Sequence, residues 1–233
     1  MNKKSLKKTI IEKFDLSRTD KGWFLTFGDE IYLTKNGNKV CVPNENLIEI
    51  LKLEFKNYNI LQYSKFSLTK ILINYADKLP HEKSIFVDEL IKYLETDLLF
   101  YRVSSPRNLS ISQGKKWDKI IHIFDSVFQT SWNLSTNIMP LKQDPDSIQK
   151  IKDYLSSLDI LNLHILTYLL KVTGSCIVTV LCNIKKLDAM EAWETINLEE
   201  LWYNKIYNDN EKKEELDSQM AEVDFYIKLL NSI

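Results

Sequence analysis

The sequence predicts an α+β fold in which a small β-rich N-terminal domain packs on a larger all-helical C-terminal domain. Two observations lead to this prediction. Between positions 22 and 43, aromatic and β-branched residues are interrupted by Gly28-Asp29 and Asn36-Gly37, dipeptides that favour tight turns between short antiparallel strands. From Ser84 to the end of the chain, apolar residues instead recur at helical spacing, which is typical of amphipathic helices.

The boundary between the two domains is predicted near Pro80, which interrupts the pattern before the helical part begins. Residues 1–80 then form the β-rich domain. This domain also contains a helix that begins after Asn44, whose side chain can accept a hydrogen bond from a free backbone amide of the first turn. Residues 81–233 form the helical domain.

Helix boundaries in the C-terminal domain follow from particular residues. Asp144-Pro145 predicts a helix start, because Asp accepts from free amides and Pro needs no partner in the first turn. Gly174 separates two strongly apolar helices, and Asp188 caps a helix that runs toward Tyr207. The last helix has the most regular apolar face, formed by Leu216, Met220, Val223, Ile227 and Leu230.

The overall composition excludes several kinds of partner. A chain of 233 residues, of which 44% are hydrophobic, is large enough to bury a substantial core. Its 31 basic and 32 acidic residues nearly cancel, so no uniform field attracts nucleic acid or an anionic membrane surface. The most apolar stretch, Cys176–Ile184, is shorter than the roughly 20 residues that cross a bilayer. We therefore expect no nucleic-acid partner and no membrane insertion.

Cysteine usage and the N-terminal residues predict the compartment. Cys41, Cys176 and Cys182 cannot all pair, and their irregular spacing is not that of a secreted disulfide framework. Residues 1–14 lack both the apolar run of a signal peptide and the arginines of a mitochondrial transit peptide. These features predict an untargeted bacterial protein of the reducing cytoplasm.

The common motifs of catalysis and cofactor binding are missing. The five glycines are scattered and form no phosphate-binding loop. The histidines, at positions 81, 122 and 164, are too far from one another and from the cysteines for a zinc-site spacing. Ser175 follows Gly174 but lacks the rest of the GxSxG nucleophile motif. We expect no catalytic residue, no metal and no cofactor.

A first polar cluster combines a carboxylate with tyrosines and an arginine. A helical period places Tyr93, Asp97 and Tyr101 on one face, and Arg102 follows directly. The favoured interpretation is a structural network in which Asp97 and Arg102 form a buried ion pair. The alternative is the acid–base site of a hydrolase or lyase that uses Asp97, Tyr101 and Arg102.

A second polar cluster lies near the C-terminus. Residues 188–224 carry many acids and few lysines, and Trp193, Trp202 and Tyr203 stand among those acids. Aromatic side chains beside charges are typical of protein interfaces, so we predict a partner-binding face. The alternatives are an ordinary solvated helix face and a helical adaptor for an unrelated protein.

Several segments together resemble one known family. Residues 93–102 read YLETDLLFYR and match the pattern YxxTDLLxYR, and Gln113, Trp117 and Asp118 follow in the family's order. Further matches are Ile138-Met139-Pro140 with Gln143, Gly174-Ser175, Ala192-Trp193, Leu198-Glu199-Glu200, and Asp209 with Glu211. On these residues, the chain resembles the assembly-chaperone family for the alpha subunit of the F-type ATP synthase, found in mitochondria and alpha-proteobacteria.

The resemblance implies a function and a partner. It implies a chaperone without cofactor or catalysis, which binds the unassembled alpha subunit and prevents its aggregation until it pairs with beta. It also implies that the acid at Glu200 matters for function. The predicted partner-binding residues are Glu200, Glu199, Trp193 and Trp202. Tyr203 and the pair Ile206-Tyr207 depart from the family's pattern within this region.

Overall fold

A computed structural model of the protein describes residues 14–56, 67–78, 82–137, 139–207 and 210–233. Two compact units divide the chain: Met1–Pro80 together with Ser232–Ile233, and His81–Asn231. A small antiparallel sheet near the N-terminus and a larger helical C-terminal region confirm the predicted α+β class. Pro80, Ile138 and Asp209, to which the sequence analysis gave a role, lie outside the described residues.

The first unit contains a small antiparallel sheet. Its strands within the described residues are β1 (Phe14–Thr19), β2 (Gly22–Phe27), β3 (Glu30–Ile31) and β4 (Cys41–Val42). Strand β2 is central, since it pairs with β1 on one edge and with β3 and β4 on the other. Gly28 and Gly37 adopt φ angles of 63° and 80°, so the predicted turn dipeptides do stand where the chain reverses.

Two described helices complete this unit, α1 (Asn46–Lys56) and α2 (Leu68–Ala76). As predicted, Asn44 caps the start of α1: its Oδ1 accepts from the Asn46 amide at 2.9 Å. The Glu54 carboxylate accepts from the Leu68 amide at 2.9 Å and thereby satisfies a free donor at the start of α2. The buried side chains of the unit include Leu25, Val40, Leu47, Leu51, Leu68 and Leu72.

The second unit is helical. Its described helices are α3 (Lys83–Glu95), a short 3₁₀ helix (Leu98–Phe100), α4 (Arg107–Phe128), α5 (Pro145–Ser157), α6 (Ile160–Thr173), α7 (Cys176–Asn183), α8 (Ala189–Ile196), α9 (Leu198–Tyr207) and α10 (Asn210–Ser232). Helices α6 and α7 supply much of its buried core, and Gly174 ends α6 with a left-handed φ of 64°. The predicted break between two buried helices is therefore confirmed.

Most predicted helix starts are confirmed, with two corrections. Asp144 accepts from the Ser147 amide at 2.9 Å, and Asp188 forms a reciprocal capping box with Glu191. Helix α3 begins at Lys83, one residue before the predicted start of the helical pattern at Ser84, so Ser84 lies inside the helix. The helix expected to run from Asp188 to Tyr207 is divided in two at Asn197.

The division at Asn197 has a local cause. The Asn197 side-chain amide donates to the Trp193 carbonyl at 3.0 Å and to Gln219 Oε1 at 2.6 Å. A short amide side chain that bonds to its own backbone competes with the helical hydrogen-bond ladder. Helix α9 therefore starts afresh at Leu198, and the acidic and aromatic residues that follow belong to a separate helix.

Candidate partner-binding site

Asp97 is the most deeply buried polar group of the predicted structural network, with no exposed surface. Its Oδ1 accepts from the Leu99 amide at 3.0 Å and from Ser175 Oγ at 2.8 Å. Its Oδ2 accepts from the Ile177 amide at 3.0 Å. One carboxylate thus caps both the 3₁₀ helix and α7, which places its negative charge at two helix N-termini.

The predicted ion pair between Asp97 and Arg102 is wrong. Helix α3 ends at Glu95, so Asp97 and Tyr101 lie beyond it and do not share a helical face with Tyr93. The Arg102 guanidinium instead donates to Asp118 Oδ1 at 2.7 Å. It also lies over the Trp117 ring, 4.9 Å from the ring centroid, where the cation interacts with the aromatic face.

The geometry of the cluster favours a structural role over an acid–base site. Burial raises the pKa of Asp97 to about 6, which is the kind of shift expected of a catalytic carboxylate. Both of its oxygens are nevertheless enclosed and already accept hydrogen bonds. The Tyr101 hydroxyl accepts from the Leu141 amide at 3.4 Å and Arg102 binds Asp118, so the three side chains do not converge on a substrate.

Other reactive side chains are likewise embedded in the core. Ser175 Oγ accepts from the Val178 amide at 3.1 Å as the cap of α7, besides donating to Asp97. Burial raises the pKa of the Cys176 thiol and of the Cys182 thiol, so both behave as small hydrophobes. Among the residues that the structure describes, no group of histidine, cysteine and carboxylate side chains could hold a metal ion.

Two of the four predicted partner-binding residues turn toward the interior of the second unit. The Trp193 indole N–H donates to the Leu216 carbonyl at 3.1 Å, which ties α8 to α10. Glu199 Oε1 accepts from Gln113 Nε2 at 2.6 Å, which ties the start of α9 to α4. Both side chains are partly buried.

The other two predicted residues differ in exposure: Glu200 is exposed and Trp202 is partly buried. Glu200 is about half exposed, and its carboxylate lies 3.5 Å from Lys212 Nζ, a distance typical of a weak surface ion pair. The Trp202 ring packs edge-on against Tyr203, with 5.0 Å between ring centroids. The structure therefore separates the adjacent acids Glu199 and Glu200, one inward and one outward.

Helix α9 fully buries none of its ten residues, although six of them are apolar or aromatic. Its exposed large side chains are Tyr203 at 41%, Ile206 at 54% and Tyr207 at 73% of their accessible surface. Tyr203 and Tyr207 stack with ring centroids 6.3 Å apart. We call Glu200, Trp202, Tyr203, Ile206 and Tyr207 the α9 surface.

The last three members of the α9 surface were not predicted as site residues. From the sequence alone, Tyr203 is one of several aromatics among acids, and Ile206-Tyr207 is a departure from a family pattern. A usable signal was present, because the apolar residues of α9 extend beyond the stripe formed by Leu198, Leu201 and Trp202 to include Tyr203 and Tyr207. A short helix of that kind either lies deep in a core or exposes apolar surface.

A family comparison identifies the chain. The model of the ATP12 chaperone protein family matches residues 5–125, which is more than half of the sequence. The chain belongs to the ATP12 chaperone family. Membership confirms the resemblance carried by residues 93–102, and it makes the protein an ATP synthase assembly chaperone, for which a non-enzymatic role is implied.

Solved structures show the ATP12 fold over nearly the whole chain. Atp12 from Paracoccus denitrificans superposes with a TM-score of 0.80 at 21% identity, covering 94% of this chain and 95% of that one. An aspartate-to-lysine mutant of P. denitrificans Atp12p gives a TM-score of 0.78 at 20% identity and covers 94% of each chain. The Atu1473 protein of Agrobacterium tumefaciens gives 0.83 at 18% identity, covering 95% of this chain and 84% of that one. No curated protein sequence matches.

The described helices of this ATP12-family chain include none that is both long enough and apolar enough to cross a lipid bilayer.

Proposed function

We propose that this ATP12-family chaperone binds the unassembled alpha subunit of the F-type ATP synthase head and prevents its aggregation until alpha pairs with beta. The observation that supports this most directly is the α9 surface, which places aromatic rings beside an exposed acid on a helix that fully buries none of its ten residues. Tyr and Trp are enriched at the centres of protein interfaces, where one ring covers much apolar area with little loss of rotamer freedom.

The alpha subunit presents the surface that such a chaperone needs. In the assembled head alpha and beta alternate, so an isolated alpha exposes a large interface whose apolar core drives aggregation. Tyr203, Ile206 and Tyr207 supply apolar cover for part of that interface. Glu200 then pairs with a basic or hydrogen-bond-donating group of alpha at the edge of the contact, since its bond to Lys212 is weak and exposed.

The same surface permits release. A single exposed helix with a polar border gives an interface of modest area rather than an obligate one. Beta forms the larger, permanent contact with alpha and displaces the chaperone by mass action, so no nucleotide hydrolysis is needed. The free thiols of Cys41, Cys176 and Cys182 support a reducing compartment, and we propose the bacterial cytoplasm.

Co-expression tests this function. The alpha subunit of the same organism is produced alone, with this chain, and with the chain plus beta, and soluble alpha is measured after centrifugation. We expect alpha to precipitate alone, to stay soluble and co-purify with the chain, and to leave it when beta is supplied. If alpha precipitates equally with and without the chain, the proposal is wrong, and an unrelated partner becomes the better explanation.

A further inference from the structure

Helix α9 has little buried surface: none of its side chains is fully buried, and Leu198, Leu201 and Trp202 are only partly buried. Most helices in folded proteins are positioned by packing an apolar face against a core. In α9 the contribution of core packing is reduced. The orientation of the helix therefore depends more than usual on the hydrogen bonds at its first residues.

Three residues on one face of α4 bond to the end of α8 or to the start of α9. Trp117 Nε1 donates to the Thr195 carbonyl at 2.8 Å, and Lys116 Nζ lies 2.8 Å from Glu194 Oε2. Both hold the end of α8. Gln113 alone reaches α9 itself, donating from Nε2 to Glu199 Oε1 at 2.6 Å.

Gln113 is fixed by its surroundings. It is completely buried, and its Oε1 accepts from the Val103 amide at 2.8 Å. With the carbonyl oxygen committed to a backbone donor, the amide nitrogen must face Glu199. A hydrogen bond from a buried amide to a carboxylate is among the stronger ones in proteins, so Glu199 is drawn inward.

We infer that Glu199 is a positioning residue that orients α9 through Gln113, and that it does not itself contact the partner. Glu200, the next residue, keeps the contact role. The inference rests on the proposed function for its binding test, but the geometry it claims is internal to this chain. Glu199 contributes a hydrogen-bond acceptor for Gln113 Nε2, and its charge is not required. An acid that contacts the partner would instead need its charge.

Three variants separate these roles. Glu199→Gln removes the charge but keeps an acceptor for Gln113 Nε2. Gln113→Glu places two carboxylates against each other and breaks the bond. The double variant Gln113→Glu with Glu199→Gln restores it with reversed polarity, because the new Glu accepts both from the Val103 amide and from the new Gln. The exposed Glu95 on α3 provides a matched control as Glu95→Gln.

Binding of alpha is measured by pull-down titration, together with amide hydrogen exchange of residues 198–207 in the free chaperone. We expect Glu199→Gln and Glu95→Gln to bind within about twofold of the wild type. Gln113→Glu should bind about tenfold more weakly and exchange about tenfold faster in α9, as expected on losing a hydrogen bond to a charged group. The double variant should recover both properties.

Two results would overturn the inference. The first is that Glu199→Gln loses binding while its α9 exchange stays normal, which would make the charge of Glu199 a direct contact. The second is that the double variant recovers neither exchange nor binding. If the wild type does not bind alpha, the proposed function is wrong. The hydrogen-exchange measurements still decide whether Gln113 and Glu199 hold α9 in place.

Discussion

Helices α7 and α9 use apolar residues for opposite purposes. Seven of the eight residues of α7 are buried, whereas α9 buries none of its ten. Each begins at a polar anchor: α7 at the fully enclosed Asp97, and α9 at the partly buried Glu199. The apolar residues of α7 form part of the core, and we propose that the exposed Tyr203, Ile206 and Tyr207 of α9 contact a partner. Disrupting the first region should therefore unfold the protein, and altering the second should change binding with little effect on stability.

Asp97→Ala should have the largest effect. It leaves the Leu99 amide, the Ile177 amide and Ser175 Oγ without their acceptor in a dry environment. We expect the free energy of unfolding to fall by about 4 kcal/mol, since each unsatisfied buried donor is costly. Denaturant unfolding checks this, with Asp118→Ala as the comparison. A stable Asp97→Ala protein that fails to bind alpha would contradict the structural role.

The ionisation of Asp97 gives the next largest effect. Burial raises its pKa from the usual 3.8 to about 6, so the folded protein binds this proton more tightly than the unfolded chain does. The stabilising contribution is complete below pH 4 and is lost as the pH rises to about 6. Over that window we expect Asp97 to lower the free energy of unfolding by about 3 kcal/mol at most.

Comparison with Asp97→Asn isolates this effect, because the variant lacks the titrating proton. Denaturant unfolding from pH 4 to pH 7 should show a more negative slope for the wild type than for the variant. If the variant does not fold, the pKa of Asp97 can be measured in the wild type by following the NMR shift of its carboxyl carbon with pH. A midpoint near the usual 3.8 would contradict the prediction.

The contrast between the two regions also explains what the sequence could predict. Local signals were sufficient for helix starts, as Asp144 and Asp188 show, and for the buried pair of helices around Gly174. The partners of Asp97 could not be predicted in this way. Ser175 and Ile177 lie 78 and 80 residues away along the chain, and no periodic pattern records such a contact.

At the candidate site, composition predicted the region but not the direction of each side chain. Glu199 and Glu200 are adjacent and chemically identical, and only the position of α9 against Gln113 distinguishes them. That position depends on the break at Asn197, whose side chain bonds to Gln219 on another helix. Within α9 the two acids lie about 100° apart around the helix axis, so that one faces Gln113 of α4 and the other faces outward.

Glu200→Lys should affect binding far more than stability. The substitution reverses an outward charge, repels Lys212, and places a cation in the first turn of α9. We expect a loss of no more than about 1 kcal/mol from the free energy of unfolding, since surface pairs and helix-dipole effects are small. Co-purification of alpha should disappear. Glu95→Lys, an exposed acid on α3, should bind normally, and a collapse in melting temperature of Glu200→Lys would make that residue structural.

The smallest change in stability is expected for the double variant Tyr203→Ala with Tyr207→Ala. It removes two exposed stacked rings, and the loss of their contact is offset by the higher helix propensity of alanine, so stability should move by about 0.5 kcal/mol or less. Alpha binding should weaken about tenfold or more, because exposed aromatic anchors supply much of the energy of an interface. Tyr93→Ala, which removes a similarly exposed tyrosine from α3, is the matched control for pull-down titration and thermal unfolding. If the Tyr203→Ala, Tyr207→Ala double variant and Tyr93→Ala both bind alpha as the wild type does, the exposed rings of α9 do not contact alpha. The difference in burial between α7 and α9 would then not explain alpha binding.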